Sequence, residues 1–156
     1  MTEVQAGVLL KMVGVVRPPV PVPILAEFLD IACEHDEALG VLGHHAPDGD
    51  SWRIGYGDPT PLARNATVAH QLKLILDAEF DEGELYLPVA VMAPRLRKHH
   101  AAEYFAQCLT MQSQMVQQAW CRGQEIDVLA EEFDVTPEAM LFRLKTLKLV
   151  ESAYER

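Results

Sequence analysis

The segment 67-TVAHQLKLIL-76 decides the fold. Within the longer run 62-LARNATVAHQLKLILDA-78, apolar side chains fall at Ala66, Val68, Ala69, Leu72, Leu74, Ile75 and Leu76. At about 100° per residue these positions cover most of a helix's circumference, and a helix that is apolar on most sides is a buried one. The spacing therefore predicts a central helix. Its start is marked by Asp58-Pro59-Thr60-Pro61, with Thr60 placed to act as N-cap and Pro61 in the first turn.

Just upstream, 38-ALGVLGHH-45 and 51-SWRIGYG-57 read as two short strands around the turn signal 46-APDGD-50. An isolated hairpin is marginal in water, so this one calls for a covering helix, which the central segment supplies. At the N-terminus, 2-TEVQAGVLLKMVG-14 has helical spacing, with Val4, Val8, Leu9 and Met12 as the expected apolar stripe and Gly14 as the stop. The prolines of 17-RPPVPVP-23 impose an extended connector, and a second helix follows through Ile24, Leu25, Phe28 and Leu29. Residues 30–37 read as looser chain. Downstream, 80-FDEGELYLPVAVMAP-94 reads as an irregular connector with a strand-like piece, and 95-RLRKHHAAEYFAQCLTMQSQMVQQAW-120 as one or two helices ended by Gly123. A closing pair, 126-IDVLAEEF-133 and 137-PEAMLFRLKTL-147, has Thr136 as N-cap and Pro137 at the first helical position.

At 156 residues the chain has the length of one domain, and it buries enough surface to need no disulfide staples. We divide it into a main domain, residues 1–121, and a C-terminal helical module, residues 122–156, packed on it. A formal net charge of −10 repels polyphosphate and argues against nucleic acid as a partner. Cys33, Cys108 and Cys121 show no zinc-type spacing and read as reduced, mostly buried thiols. Glu3 precedes the first apolar run, no small-residue cleavage site follows it, and no run reaches membrane-spanning length. The expectation is a cytoplasmic protein without membrane contact.

The central helix also carries the chemistry. In an H-E-x-x-H helix two His four residues apart share one zinc, and the Glu is general base to the metal-bound water. Here His70 is followed by Gln71 and, four residues on, by Leu74. Gln71 cannot take a proton at neutral pH, and Leu74 has no lone pair to donate.

The surrounding motifs add weight. 18-PPVPVPILAEFL-29, the strand WRIGY (residues 52–56) followed by 63-ARNATVAHQLKLIL-76, then 101-AAEYFAQCLTM-111 and the closing 126-IDVLAEEFDVTPEAMLFRLKTLKLV-150 occur in an order that resembles ImmA/IrrE-type metallopeptidase domains. The resemblance covers residues 18–150. It implies an α+β fold, mostly helical and zincin-like, with a small β-sheet against the central helix and a closing, helix-turn-helix-like pair. It also implies zinc-dependent endopeptidase activity, often directed at a repressor of the helix-turn-helix type in bacteria or mobile elements. Carried over residue by residue, His70 matches the first zinc ligand, Gln71 the general base and Leu74 the second ligand. The acidic third ligand matches Ala101, with Glu103 as rival assignment. His70, Gln71, Leu74 and Ala101 are then vestigial active-site positions, without a catalytic residue, a bound metal or a cofactor.

Lys73, at a position where the family commonly has Gly, invites two readings: an ammonium in the vacated pocket, or a packed stem with its head in solvent. His99 and His100 read as a solvated helix start, although His99 could approach His70 if the later helix packs as the resemblance implies. The function these features predict is a catalytically inactive homologue that binds a protein, such as a repressor-type regulator of bacterial or phage origin. One alternative is an active zinc endopeptidase with a rearranged set that recruits His99, Glu103 or His44 beside His70. Another is a DNA-binding regulator using the closing pair. Against the latter, residues 122–156 hold five basic and eight acidic side chains, and the second helix opens Pro137-Glu138. His44, His45, Asp48 and Asp50 read as a polar hairpin turn, and Arg95, Arg97 and Lys98 as a solvated face.

Overall fold

The computed structural model describes residues 2–40, 43–80 and 93–150. Two helices open the chain, α1 (Thr2–Val13) and α2 (Val22–Phe28). Three strands follow, β1 (Ile31–His35), β2 (Gly43–Asp48) and β3 (Ser51–Tyr56), with a short 3-10 turn at Glu37–Leu39 between the first two. The remaining helices are α3 (Pro61–Leu76), α4 (Pro94–Thr110), α5 (Ser113–Trp120), α6 (Ile126–Glu132) and α7 (Pro137–Thr146). This is the expected α+β class, mostly helical with a small sheet.

Helix α3 is the hub. It packs on α4, on α2 and on the face of the sheet formed by β2 and β3. Val68, Ala69 and Leu72 are fully buried, as an all-round apolar helix requires. Thr60 does occupy the N-cap position, but its hydroxyl makes no capping bond; Asp58 instead accepts from the Thr60 backbone N–H at 2.9 Å.

The sheet has the order β1-β3-β2. β2 and β3 form a hairpin as expected, in register from Gly43↔Tyr56 to Asp48↔Ser51, but its first strand, expected over 38–45, lies at Gly43–Asp48, taking in Ala46–Asp48 of the expected turn and leaving Glu37–Leu39 as a 3-10 turn. Gly49 turns the corner at φ 63°, a conformation that disfavours any residue with a Cβ. β1, expected as loose chain, pairs parallel to β3 from Ile31↔Trp52 to His35↔Tyr56. Its sequence, 31-IACEH-35, alternates weakly, and the strand is defined by pairing with β3 more than by its own pattern. The strand-like piece expected between α3 and α4 falls at residues 81–92, outside the described residues.

The expected stripe on α1 is corrected. Val4, Val8 and Met12 are 69%, 51% and 59% exposed, and the core face is Ala6, Leu9 and Leu10. Both sets satisfy helical spacing. α1 packs mainly on α4, and that packing selects the second face. On α2 the buried side chains are Val22, Leu25 and Ala26, while Ile24 and Phe28 are exposed.

The closing pair joins the same core: Leu129, Met140 and Leu144 cluster with Leu10, Phe105 and Met111. Thr136 caps α7, accepting from the Ala139 N–H at 3.1 Å. Arg143 is 1% exposed, donates from Nε to the Met111 carbonyl at 3.0 Å and places Nη2 2.7 Å from the Glu3 carboxylate. One basic side chain of the helix-turn-helix-like pair is thus spent inside the molecule, tying α7 to α1. Of the thiols, Cys108 is buried, Cys33 half-buried and Cys121 exposed, so the expectation of a core residue at Cys121 is corrected. Burial, reinforced by the Glu27 carboxylate, pushes the Cys33 thiol up to about 11, which keeps it protonated and unreactive.

Candidate functional site

Helices α3 and α4 face each other across a cleft. From α3, Thr67, His70 and Gln71 point into it; from α4, His99, Glu103, Ala106, Gln107 and Thr110 do so. The α4 positions recur every three or four residues, the signature of a single helix face. One end of the cleft is closed by Gly43 of β2, the other by Asp134, Val135 and Thr136 in the α6–α7 turn. The enclosed volume is about 580 Å³, in the range of ligand pockets.

His70 and His99 meet at the centre. His70 Nε2 lies 3.2 Å from His99 Nδ1, and the rings stack with centroids 5.4 Å apart and planes 21° apart. A hydrogen bond at this distance needs one facing nitrogen to donate and the other to accept. Burial first, and the neighbouring His99 second, lower the pKa of His70, with the Glu103 carboxylate opposing them. His70 is therefore neutral at pH 7.

Gln71 is fastened to the sheet. Its amide N–H donates to the Gly43 carbonyl at 3.1 Å, and its Oε1 sits 2.7 Å from His45 Nδ1. An amide oxygen only accepts, so His45 carries its proton on Nδ1. Among the described residues β2 lies at the edge of the sheet, and the Gln71 side chain satisfies one of its backbone carbonyls. Gly43 makes this approach possible: a Cβ there would overlap the Thr67 methyl group. Leu74 is buried and lines a second, smaller hollow with His44, His45, Lys98 and His99.

Lys73 follows neither sequence expectation. It is 1% exposed, so its head is not in solvent, and it does not line the cleft. Its ammonium is 2.7 Å from the Asp77 carboxylate, 2.8 Å from Gln5 Oε1 of α1 and 5.9 Å from the centre of the Phe105 ring. Position 73 lies about 300° around the helix from His70, which turns it toward α1. The i,i+4 carboxylate of Asp77 then offsets the desolvation of the charge.

On α4, Ala101 is half-buried and lines neither hollow. Two residues from His99, it sits about 200° away around the helix. Glu103, four residues from His99, shares the cleft face, with its carboxylate 3.5 Å from His100 Nδ1. Any side chain of α4 that reaches His70 must come from this 99/103 face.

Of the residues expected in a polar hairpin turn, His44, His45 and Asp48 belong instead to strand β2, where Asp48 pairs with Arg53 at 2.7 Å across the hairpin. The wall formed by the α6–α7 turn escaped sequence reasoning. Its signal was present in the Thr136 cap, which fixes the turn, but nothing in the local pattern says that it faces α3.

The donor set does not fit the catalytic zinc that the sequence resemblance implies. Such a centre takes three protein ligands. Beside His70 the turn-adjacent position is Leu74, and among the described residues no three His, Cys, Asp or Glu stand close enough to hold a metal ion. No zinc step is derived for this site.

The fold and cleft define a class: an α+β domain in which a His-bearing central helix lies between a three-stranded sheet and a second long helix. Residues 41–145, well over half of the chain, match the Peptidase M78 family, described as the IrrE N-terminal-like domain, and the chain belongs to that family. A solved structure of a Mycobacterium tuberculosis transcriptional regulator is similar, with a TM-score of 0.72 and 19% identity over 92% of this chain. The match spans 46% of that structure, about half its length. No curated protein matches in sequence. Among the described residues no helix is long and apolar enough to cross a membrane.

Proposed function

We propose that this chain is a catalytically inactive member of its family that acts as a protein-binding, regulatory module, with a repressor-type regulator of bacterial or phage origin as its partner. The observation that carries the reading is Gln71. At the position of the general base stands an amide that cannot accept a proton at pH 7, and both ends of that amide are bonded to β2. Leu74 adds an apolar side chain where a second imidazole would be needed. What remains is a cleft suited to holding a protein segment. The likeness of the fold to a transcriptional regulator supports a regulatory setting.

The test is calorimetric titration of the purified chain with any repressor-type regulator encoded beside it, repeated with Ala66→Trp. Ala66 is exposed on the cleft wall, so a Trp there fills the cleft without entering the core. Binding at micromolar concentration, lost in Ala66→Trp, is the expected result. Binding that survives Ala66→Trp removes the cleft from the account, and no binding at all counts against the reading. The same preparation distinguishes the second reading, a hydrolase with a rearranged ligand set, which the 3.2 Å His70–His99 contact favours. One zinc per chain, with peptide hydrolysis that chelation abolishes, would establish it.

A further inference from the structure

The cleft has a charge signature that specifies its occupant. Of the side chains that line it, the two with a formal charge at neutral pH are Glu103 and Asp134, both carboxylates. They stand on different walls, α4 and the α6–α7 turn. His70 adds no compensating positive charge, because its burial beside His99 keeps the imidazole neutral. Between the two carboxylates the surface is apolar, from Leu62, Met111 and Val135.

Carboxylates on two walls and apolar surface between them complement one kind of side chain, a cation on a hydrocarbon stem. From this complementarity we infer that the cleft binds a peptide segment of the partner through one Arg or Lys flanked by aliphatic residues. The basic head meets the Glu103 and Asp134 carboxylates, and the aliphatic flanks lie on Leu62, Met111 and Val135. Arg offers five donors and suits several separated acceptors better than Lys. This inference rests on the proposed protein-binding role and adds the chemistry of the segment recognised.

The probe is a fluorescein-labelled ten-residue peptide with a single Arg between two Leu, the other positions Gly and Ser. Two further peptides carry Glu or norleucine in place of the Arg. Fluorescence anisotropy gives affinity, and amide shifts in 15N–1H spectra of the chain locate the site. The Arg peptide should bind with the largest shifts at Thr67, Glu103 and Thr136, and more weakly as salt is raised. The double variant Glu103→Gln, Asp134→Asn should weaken it by about tenfold or more, the worth of a charge-assisted hydrogen bond. Asn tolerates the left-handed backbone of Asp134, at φ 52°, so the turn is preserved, and an unchanged melting temperature verifies this. Equal binding of the Glu or norleucine peptide overturns the inference, as do an undiminished affinity in the double variant and shifts that fall away from the cleft. If the regulator binds, is lost with Ala66→Trp, and is indifferent to the double variant, then the protein-binding role stands and the basic anchor fails. If Ala66→Trp also leaves the regulator bound, the cleft itself is dismissed as its docking site.

Discussion

At the scale of single residues, the central helix gives its polar side chains two tasks on neighbouring flanks. His70 and Gln71 face the cleft, while Lys73 and Asp77 form a buried ion pair against α1. The spacing of Lys73 and Asp77 was legible in the sequence as an i,i+4 pair. In a stretch otherwise apolar from Leu72 to Leu76, that pairing was the signal that the charge is neutralised inside. The bonds of Gln71 were not legible, because they depend on the register that brings His45 and the Gly43 carbonyl to the same point. The ion pair yields a stability prediction. Asp77→Asn leaves a buried ammonium without its carboxylate and should destabilise the fold by about 3–5 kcal/mol, read from urea unfolding. A loss below about 1 kcal/mol would mean that the ammonium finds compensation elsewhere.

His70 supplies a second residue-scale expectation, in pH. Its folded-state pKa is lowered, so the unfolded chain binds the proton more readily. Its contribution to stability is then complete above the ordinary imidazole value of 6.5 and is lost as pH falls through the lower folded value. Wild type should lose urea resistance between pH 7.5 and pH 5.5 more steeply than His70→Ala, on the same carboxylate background. Parallel pH profiles for the two proteins would show that His70 is not held neutral in the fold.

At the scale of elements, legibility followed how completely local pattern determines environment. α3 was readable because it is apolar almost all round, and such a helix has one place to be. The β2–β3 hairpin was readable from its Asp-Gly turn. α1 was readable as a helix but not in its orientation, because two faces have helical spacing and the packing surface of α4 chooses between them. β1 was missed, since a short strand on the far side of β3 is defined by its partner's backbone. The cleft was half legible: the sequence singled out His70, His99 and Glu103, which share it. Ala101 did not join them, because linear proximity to Glu103 says nothing of a 200° rotation about the α4 axis.

At the scale of the whole molecule, the question is whether the closing helices are a separable module or part of one cooperative unit. Leu129, Met140 and Leu144 belong to the same buried cluster as Leu10, Leu72 and Phe105, and Arg143 reaches across to the Met111 carbonyl and Glu3. Removing α6 and α7 would expose this apolar surface and strip one wall from the cleft, so the module should not melt alone. The two tryptophans test this directly, because Trp52 lies in β3 and Trp120 at the end of α5, beside the module. In the single-tryptophan variants Trp52→Phe and Trp120→Phe, fluorescence and far-ultraviolet circular dichroism should give coincident unfolding midpoints within each protein. A Trp120 signal in Trp52→Phe that changes at lower denaturant than the helical signal would divide the chain near residue 121. In that case the α6–α7 turn would be a detachable wall, and the cleft would open and close with the module. Coincident midpoints instead mean that the cleft is as rigid as the core beneath it, and a partner segment would enter a preformed site.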